Sequence, residues 1–236
     1  MHDTDKTLMI NEIFYSIQGE STWSGVPCIF VRLTGCQLRC RYCDTEYAFY
    51  QGRRMTIPQI LEAINRLVDE AADHSRLVQI TGGEPLLQPH VHDLMTRLCD
   101  DKWVVLLETS GACDISICDS RVQRIVDFKT PGSGHVDDNL WSNIAFLARQ
   151  DQVKFVICSR MDYEWARDIV QHHQLCHKVS AVLFSPVMEV GDGRELPGMQ
   201  AASYSDLASW ILADKLPVRF QLQLHKLIWG VEVRGV

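Results

Sequence analysis

Short apolar runs alternate with amphipathic stretches along most of the chain. Runs typical of buried strands lie within 8–20 and at 27–33, 77–81, 103–108, 124–129, 152–158, 181–185 and 218–224. Apolar residues recur at helical spacing at 57–74, 87–99, 139–149, 162–174 and 204–213. Residues 186–202 are rich in Gly and Pro and predict a loop, and the tail from 225 to 236 is apolar but irregular. This alternation predicts an α/β fold, with a parallel sheet covered by helices.

The number of strand–helix units limits the architecture. Roughly six parallel βα units can be counted, fewer than the eight of a complete barrel, so the sequence predicts an incomplete TIM-like barrel. The first helix has a clear start, because Thr56 and Gln59 have the spacing of a capping box. No linker or change of composition interrupts the pattern, so we expect one domain over residues 1–236.

Composition narrows the partners and the compartment. The chain is 46% hydrophobic and carries a formal net charge of −7, which argues against nucleic acid or an anionic membrane as a partner. The start of the chain lacks the basic and apolar regions of a signal peptide, and no apolar run reaches the roughly 18 residues of a membrane span. Six of the nine cysteines are scattered, as reduced core thiols would be, so we expect a cytoplasmic protein.

The other three cysteines form a compact group. Cys36, Cys40 and Cys43 have the spacing C-x3-C-x2-C, directly after a predicted strand. Three thiolates suit zinc or an iron–sulfur cluster. A structural zinc site wants four ligands, and no fourth Cys or His follows within twenty residues. A [4Fe–4S] cluster held by three thiolates would instead leave one iron open to a small molecule, and Tyr42 adds an aromatic residue before the last cysteine.

Polar residues end several predicted strands. Gly82-Gly83-Glu84-Pro85 follows the strand at 77–81, where paired glycines allow close approach of a ligand and a carboxylate can hold an ammonium group. Glu108-Thr109-Ser110-Gly111 and Asp127-Phe128-Lys129 end the next two strands. The carboxyl ends of parallel strands meet at one rim, so these groups are candidates for one site. The residues alone favour a hydrogen bond within its own loop for Thr45.

Together these motifs resemble those of the 7-carboxy-7-deazaguanine synthases, a family of radical S-adenosylmethionine (SAM) enzymes. The similarity runs over nearly the whole chain and is loose only at 112–222, and Ser21 departs from the glycine of many relatives. The segments that carry it are Ile13–Glu20, Gly25–Pro27, Phe30–Cys36, Cys43–Thr45, Thr81–Pro85, Glu108–Gly111 and Gln223–Gly230.

The resemblance implies a definite reaction. Members of the family convert 6-carboxy-5,6,7,8-tetrahydropterin to 7-carboxy-7-deazaguanine and ammonia, within queuosine and 7-deazapurine biosynthesis. A reduced [4Fe–4S] cluster cleaves SAM to a 5′-deoxyadenosyl radical, which takes a hydrogen from the pterin ring. SAM is regenerated, and Mg²⁺ binds the substrate carboxylate. The resemblance further implies a homodimer and a low-potential electron donor such as flavodoxin or ferredoxin.

The resemblance also assigns roles to residues. It implies Thr45 as the protein ligand of Mg²⁺, against the interpretation from the residues alone. It gives less support to Glu108 and His225 as substrate contacts, and relatives often have Ser-Pro-Lys at 127–129. The implied cluster ligands are Cys36, Cys40 and Cys43; the implied SAM contacts are Tyr42, Asp44, Gly83, Glu84, Asp127, Phe128 and Lys129; the implied substrate contacts are Ile17, Gln18, Gly19, Arg32, Thr81 and His225.

Two other functions remain open at this level. An activase that places a glycyl radical on a partner enzyme would share the three cysteines and the GGE turn, but it would need a protein-docking surface in place of a pterin pocket. A non-catalytic iron–sulfur protein normally ligates every iron, and no fourth cysteine lies at this site.

Overall fold

The computed structural model describes residues 6–69, 76–187, 202–230 and 233–236. Nine strands form one sheet in the order β3-β1-β2-β4-β5-β6-β7-β8-β9, and its edge strands β3 and β9 do not pair with each other. The strands are β1 (Thr7–Ile17), β2 (Pro27–Leu33), β3 (Arg53–Thr56), β4 (Leu77–Gly82), β5 (Val104–Thr109), β6 (Gln123–Asp127), β7 (Gln152–Ile157), β8 (Ala181–Pro186) and β9 (Arg219–Phe220). The sheet is therefore open, as expected of an incomplete barrel.

From β2 onward, neighbouring strands of the sheet are parallel and follow chain order. The prediction of a parallel α/β sheet is confirmed for this part. It is wrong at one edge, where β1 pairs antiparallel with both β2 and β3. The nine-residue connection between β1 and β2 is too short for a crossover helix, so the two strands pair antiparallel. The short strand β3, with exposed Arg53 and Arg54, was not predicted.

The helices are α1 (Ile57–Asp69), α2 (Val91–Asp100), α3 (Arg160–His172), α4 (Leu175–Lys178), α5 (Tyr204–Ala213) and α6 (Leu224–Trp229). The capping box before α1 is confirmed: Thr56 Oγ1 accepts from Gln59 N, and Gln59 Oε1 accepts from Thr56 N. No helix in the described ranges is long and apolar enough to cross a membrane. The end of the first predicted helix, at 70–74, and most of the predicted loop at 186–202 lie outside the described residues.

One predicted helix is wrong for a tertiary reason, and two predictions near the end of the chain are wrong as well. The stretch 139–149 forms only a 3-10 segment, Trp141–Phe146, because the buried Asn143 side chain bonds Ile115 N and the carbonyl oxygens of Gly111 and Cys113. These bonds hold the segment against the loop after β5. The tail, expected to be irregular, contains α6, while the strand expected at 218–224 is only the two residues of β9.

The sheet has apolar residues on both faces, but for different purposes. One face packs on the helices and forms the main core, with Val31 of β2, Ile80 of β4 and Val126 of β6 among its members. The concave face has an apolar floor, which Cys28, Phe30, Leu77, Leu106 and Ile125 form together. Because side chains alternate along a strand, the residues two positions further on point into the same concave space, closer to the carboxyl rim.

Candidate active site at the carboxyl rim

One cavity lies above this floor, between the carboxyl rim, the turn after β1 and helix α6. It is lined in part by the cysteine loop, in part by strand ends and in part by the chain's last described segments. Its polar and sulfur-bearing lining consists of Gln18, Glu20, Arg32, Cys36, Cys40, Tyr42, Cys43, Asp44, Thr45, Gln79, Thr81, Glu108, Thr109, Ser110, Asp127, Lys129, Lys154, Ser185, Gln223, His225 and Lys226. The cavity therefore brings charges of both signs next to three thiols.

The cysteine loop is fixed to the GGE turn by backbone contacts. Glu84 N donates to Gly35 O at 2.8 Å. A Cβ on Gly83 would lie 2.3 Å from Gly35 O and 2.7 Å from Cys36 Cβ, so no larger residue fits without movement. Leu38 of the same loop is only 2% exposed and also lines the cavity. The two motifs are thus one structural unit.

The three thiols of this loop are half-buried, form no disulfide and face the same cavity. Burial raises the pKa of all three thiols, that of Cys43 to about 11, although Lys129 acts in the opposite direction on Cys36 and Cys40. A metal must therefore displace their protons. Among the described residues, no three His, Cys, Asp or Glu side chains form a cage for one ion. Thiolates of a cluster each bind a different iron, so their sulfurs need not converge on one point.

Glu84 lies behind the cavity wall, fully buried. Its carboxylate accepts hydrogen bonds from Leu86 N at 3.0 Å, Thr109 Oγ1 at 2.9 Å and Ser110 N at 2.7 Å. These donors join the GGE turn to the end of β5. They satisfy the buried carboxyl oxygens without a cation.

Three polar atoms on the adjoining wall are buried and have no hydrogen-bond partner among the described residues. They are the Tyr42 hydroxyl, Asp127 Oδ1 and Ser185 Oγ, and all three residues line the cavity. The other oxygen of Asp127 accepts from Lys129 Nζ at 2.8 Å. Since an unsatisfied buried polar atom costs free energy, this wall is suited to a polar ligand that supplies the missing partners.

A buried lysine, Lys154, lies deeper in the cavity, between two carboxylates. Lys154, with its side chain only 7% exposed, contacts Glu20 and reaches Glu108 Oε1 at 3.1 Å. Burial would raise the pKa of Glu108, but Lys154, a hydrogen bond from Thr81 and the charge of Arg32 bring it below its usual value. Burial outweighs Lys154 at Glu20, whose pKa is raised. Of the two carboxylates, Glu108 is the one whose ionised form these surroundings favour.

Arg32 extends from β2 on the side facing the cavity. Its Nε donates to Glu12 Oε1 at 2.7 Å, and its guanidinium lies 5.9 Å from the Phe14 ring centroid and 5.7 Å from that of Tyr47. The side chain is thus held in place by an ion pair and two rings. A guanidinium so fixed can bind a carboxylate with little loss of conformational freedom.

At the mouth, Asp44 and Thr45 follow the last cysteine. Thr45 Oγ1 donates to Asp44 Oδ1 at 2.8 Å, in agreement with a bond inside its own loop. Burial would raise the pKa of Asp44, but Lys226 and hydrogen bonds from Thr45 and Gln223 hold it well below its usual range. The threonine oxygen keeps lone pairs for a cation after donating its proton.

Helix α6 closes the cavity from the chain's far end. Leu224 N donates to Gly19 O at 2.9 Å, and a Cβ on Gly19 would lie 2.0 Å from His225 Nδ1. Gly19 is therefore needed for this helix to dock. Burial, with the nearby charge of Lys226, lowers the pKa of His225 to about 4, so its imidazole is neutral near pH 7.

Most residues predicted for the site line this one cavity, but three do not. Gly19 supports His225 from outside, Glu84 is behind the wall, and the Phe128 side chain is fully buried and stacks on Trp141 at 5.2 Å. Any contact of Phe128 with a ligand in the cavity would have to use its backbone.

Sequence reasoning did not assign several lining residues to the site. Gln79 and Lys154 each interrupt an apolar strand with a polar side chain, which is a usable signal for a buried functional group. Ser185 and Lys226 carry no such local signal. The lining residues left unassigned include Glu20, Gln79, Lys154, Ser185, Pro186, Val187, Gln223 and Lys226.

Comparisons with known proteins agree with this geometry. Residues 30–130 match the family model of the radical SAM superfamily. The chain is 43% identical to 7-carboxy-7-deazaguanine synthase of Koribacter versatilis, over 97% of this chain and 100% of that protein. It is also 43% identical to the enzyme of that name from Chlorobaculum tepidum, over 99% of both chains.

Solved structures show the same fold. The crystal structure of QueE from Escherichia coli superimposes with a TM-score of 0.65 and 23% identity, covering 93% of this chain and 95% of that one. A radical SAM methyltransferase from Sphaerobacter thermophilus gives a TM-score of 0.60 at 14% identity, covering 100% of this chain and 77% of that one. The full-length identity to curated relatives, together with the cysteine loop and GGE turn at one rim, establishes that this chain belongs to the 7-carboxy-7-deazaguanine synthase family of the radical SAM superfamily.

Proposed function

We propose that the protein converts 6-carboxy-5,6,7,8-tetrahydropterin to 7-carboxy-7-deazaguanine and ammonia, with SAM used catalytically. It is a radical SAM enzyme, so it acts with a [4Fe–4S] cluster and SAM on a small molecule. The observation that carries the proposed substrate is the family identity over the full chain. The cavity supports it, because acidic, basic and amide side chains suited to a pterin lie beside the three thiols.

The residues present fit the two cofactors. Cys36, Cys40 and Cys43 would hold the cluster, since they are free thiols facing one cavity. Tyr42 and Asp127, each with an unpartnered buried oxygen, belong to the wall that would hold SAM. Further SAM contacts proposed are Asp44, Gly83 and Lys129. Glu84 and Phe128, whose side chains lie outside the cavity, would act through their backbone. When bound, cluster and SAM supply the 5′-deoxyadenosyl radical that removes a hydrogen atom from the pterin.

The chain's own residues bind and orient the substrate. Arg32, held by Glu12, would pair with the pterin carboxylate or with a ring edge. The neutral imidazole of His225 can donate or accept one hydrogen bond at the cavity's far side. The apolar floor and helix α6 exclude water from below and from one side, which favours reaction in a fixed geometry. Further substrate contacts proposed are Ile17, Gln18, Gly19 through its backbone, Thr81 and Glu108.

Mg²⁺ is proposed as a third cofactor, with Thr45 as its protein ligand. The threonine hydroxyl lines the cavity, and its proton is directed to Asp44. Mg²⁺ keeps several waters and takes few protein ligands when the substrate supplies others, so a lone hydroxyl is consistent with it. The substrate carboxylate would provide a further ligand.

We also propose that residues 1–236 form a single radical SAM domain and that the protein is a cytoplasmic homodimer. It would receive its electrons from a low-potential donor such as flavodoxin or ferredoxin. Exposed Leu227 and Ile228 on α6 are candidates for the dimer interface. A reducing compartment is consistent with nine free cysteines. Size-exclusion chromatography with light scattering tests the dimer.

An anaerobic turnover assay tests the function. Reconstituted and reduced enzyme is mixed with SAM, Mg²⁺ and 6-carboxytetrahydropterin, and the product is followed by absorbance and mass. We expect several turnovers without matching loss of SAM. Cys40→Ala should abolish turnover. Cys176→Ala, which removes a thiol on α4 away from the cavity, should not.

The other outcomes separate the alternatives. Cleavage of SAM with untouched pterin would retain the radical SAM chemistry but overturn the proposed substrate and favour an activase. A fully loaded cluster that consumes neither compound would argue against any enzyme of this class.

A further inference from the structure

Two buried glutamines connect the turn after β1 with Glu108. Glu20 N donates to Gln18 Oε1 at 3.1 Å, and Gln18 Nε2 donates to Gln79 Oε1. Gln79 Nε2 in turn donates to Glu108 Oε2 at 3.1 Å. Lys154 closes the ring, because it contacts the carboxylates of both Glu20 and Glu108. Every member of this ring lines the cavity.

The ring has one direction. An ionised carboxylate only accepts, so Glu108 requires the NH₂ end of the Gln79 amide. The oxygen of Gln79 must then face Gln18, which in turn must present its own NH₂ end there and its oxygen to Glu20 N. Reversal of either amide would oppose two donors or two acceptors. Gln18 is 2% exposed and Gln79 is 5% exposed, so solvent cannot readily replace the lost bonds.

We propose that Gln79 is a positioning residue for the pterin: it fixes the orientation of the Gln18 amide by linking it to the carboxylate of Glu108. The inference rests on the proposed function, in which Gln18 contacts the substrate. Each amide uses one N–H within the ring, which leaves the second N–H of Gln18, a residue that lines the cavity, for the substrate. Gln79 thereby decides whether Gln18 presents a donor or an acceptor to the ligand.

The first test removes the amide. In the reconstituted enzyme, Gln79→Met should raise KM for 6-carboxytetrahydropterin about tenfold or more, because Gln18 is then free to reverse. The value of kcat should stay within about threefold, since the contact serves binding before and during reaction alike. The matched control is Gln123→Met at the opposite end of the sheet, where the amide oxygen accepts from Trp23 Nε1, and its KM should stay within about twofold.

The second test asks whether Gln79 acts through Gln18. If it does, Gln79→Met should have little further effect on KM in a Gln18→Met background. Multiplicative effects of the two substitutions would show that they act separately and would overturn the inference.

The third test replaces the NH₂ group of the Gln79 amide by an oxygen. In Gln79→Glu a second carboxylate faces Glu108, and only a protonated Glu at 79 can both donate to Glu108 and accept from Gln18. KM of this variant should therefore fall toward the wild-type value as pH falls, while Gln79→Met should follow the wild-type pH profile. Glu20, Asp44, Arg32, Glu108, Lys154 and His225 are the charged or titratable groups around this position, and all are shared by the two variants.

The results separate the two levels of the argument. Wild-type enzyme that does not process the pterin overturns the proposed function and with it the role of Gln79. Active wild-type enzyme with a Gln79→Met KM equal to that of Gln123→Met overturns the role of Gln79 alone. A lower unfolding temperature without a change in KM would give Gln79 a structural role only, which also contradicts the inference.

Discussion

Lys154 offers a quantitative test of the charge arrangement below the substrate site. Its ammonium group contacts Glu20 and Glu108, and its side chain is 7% exposed. In Lys154→Met the two carboxylates remain without their cation in a buried site. The Glu20 side chain is 11% exposed and that of Glu108 26% exposed, so water screens the pair only in part. One of the two adjacent carboxyls must therefore take up a proton when the variant folds.

The cost of that proton sets the magnitude. Protonating a glutamate of ordinary pKa, about 4.3, at pH 7 costs about 3.7 kcal/mol, since each pKa unit is about 1.36 kcal/mol. This lies within the roughly 3–5 kcal/mol measured when one partner of a buried ion pair is removed. For a domain of 150–250 residues each kcal/mol shifts the unfolding temperature by about 2–4 °C, so we expect a decrease of about 7–15 °C at pH 7.

The pH dependence is the more specific part of this prediction. Glu108 has a lowered pKa in the folded wild type, so its contribution to stability is present above the unfolded pKa and is lost as pH falls. In Lys154→Met one carboxyl has a raised pKa, so its penalty is relieved as pH falls. The first effect begins only below about pH 4.3, so between pH 8 and pH 5 the second alone reduces the difference between the two proteins, to about 1 kcal/mol at pH 5.

Thermal unfolding of the cluster-free proteins between pH 8 and pH 5 measures this. Lys178→Met, which removes an exposed lysine from the end of α4, is the matched control and should change stability by less than about 0.5 kcal/mol at every pH. Lys154→Met combined with Glu20→Gln should recover most of the loss. A Lys154→Met protein that unfolds within about 2 °C of wild type at pH 7, or whose deficit does not shrink with acidification, would refute the reasoning.

Three further predictions concern the loop, the core and a cap. Gly83→Ala should lower the iron and sulfide bound after reconstitution, because its Cβ would lie 2.3 Å from Gly35 O; wild-type loading would contradict this. Phe128→Ala should lower the free energy of unfolding by about 3–5 kcal/mol in urea titrations, since the ring is fully buried against Trp141; a loss below about 1 kcal/mol would contradict it. Thr56→Ala should cost about 1 kcal/mol through loss of the capping box, with unchanged KM as its check.

The sequence by itself determined the fold class and the chemistry of the rim. Apolar runs and helical spacing are local properties of the sequence. Strands such as β4 and β7, and the start of α1, could therefore be predicted from the sequence alone. The three cysteines and the GGE turn carry their spacing within short loops. Because each motif lies within a few consecutive residues, it can be recognised without knowledge of the rest of the chain.

Tertiary structure decided what distant segments do together. The antiparallel edge formed by β1 and β3 depends on which strands are neighbours, and no single strand encodes that. Asn143 replaced a predicted helix by a 3-10 segment through bonds to residues some thirty positions earlier in the chain. Such contacts depend on burial, which propensity does not include.

The site shows the same division. Gln79 and Lys154 were visible as polar interruptions of apolar strands, but their roles depend on Gln18, Glu20 and Glu108. The fold brings these three together from two separate segments, the turn after β1 and the end of β5. The charge of a buried lysine or carboxylate is set by the neighbours that replace water around it. Sequence therefore fixes which groups are available, and only their assembly at one rim decides which are ionised, which way each amide faces, and which reach the cavity.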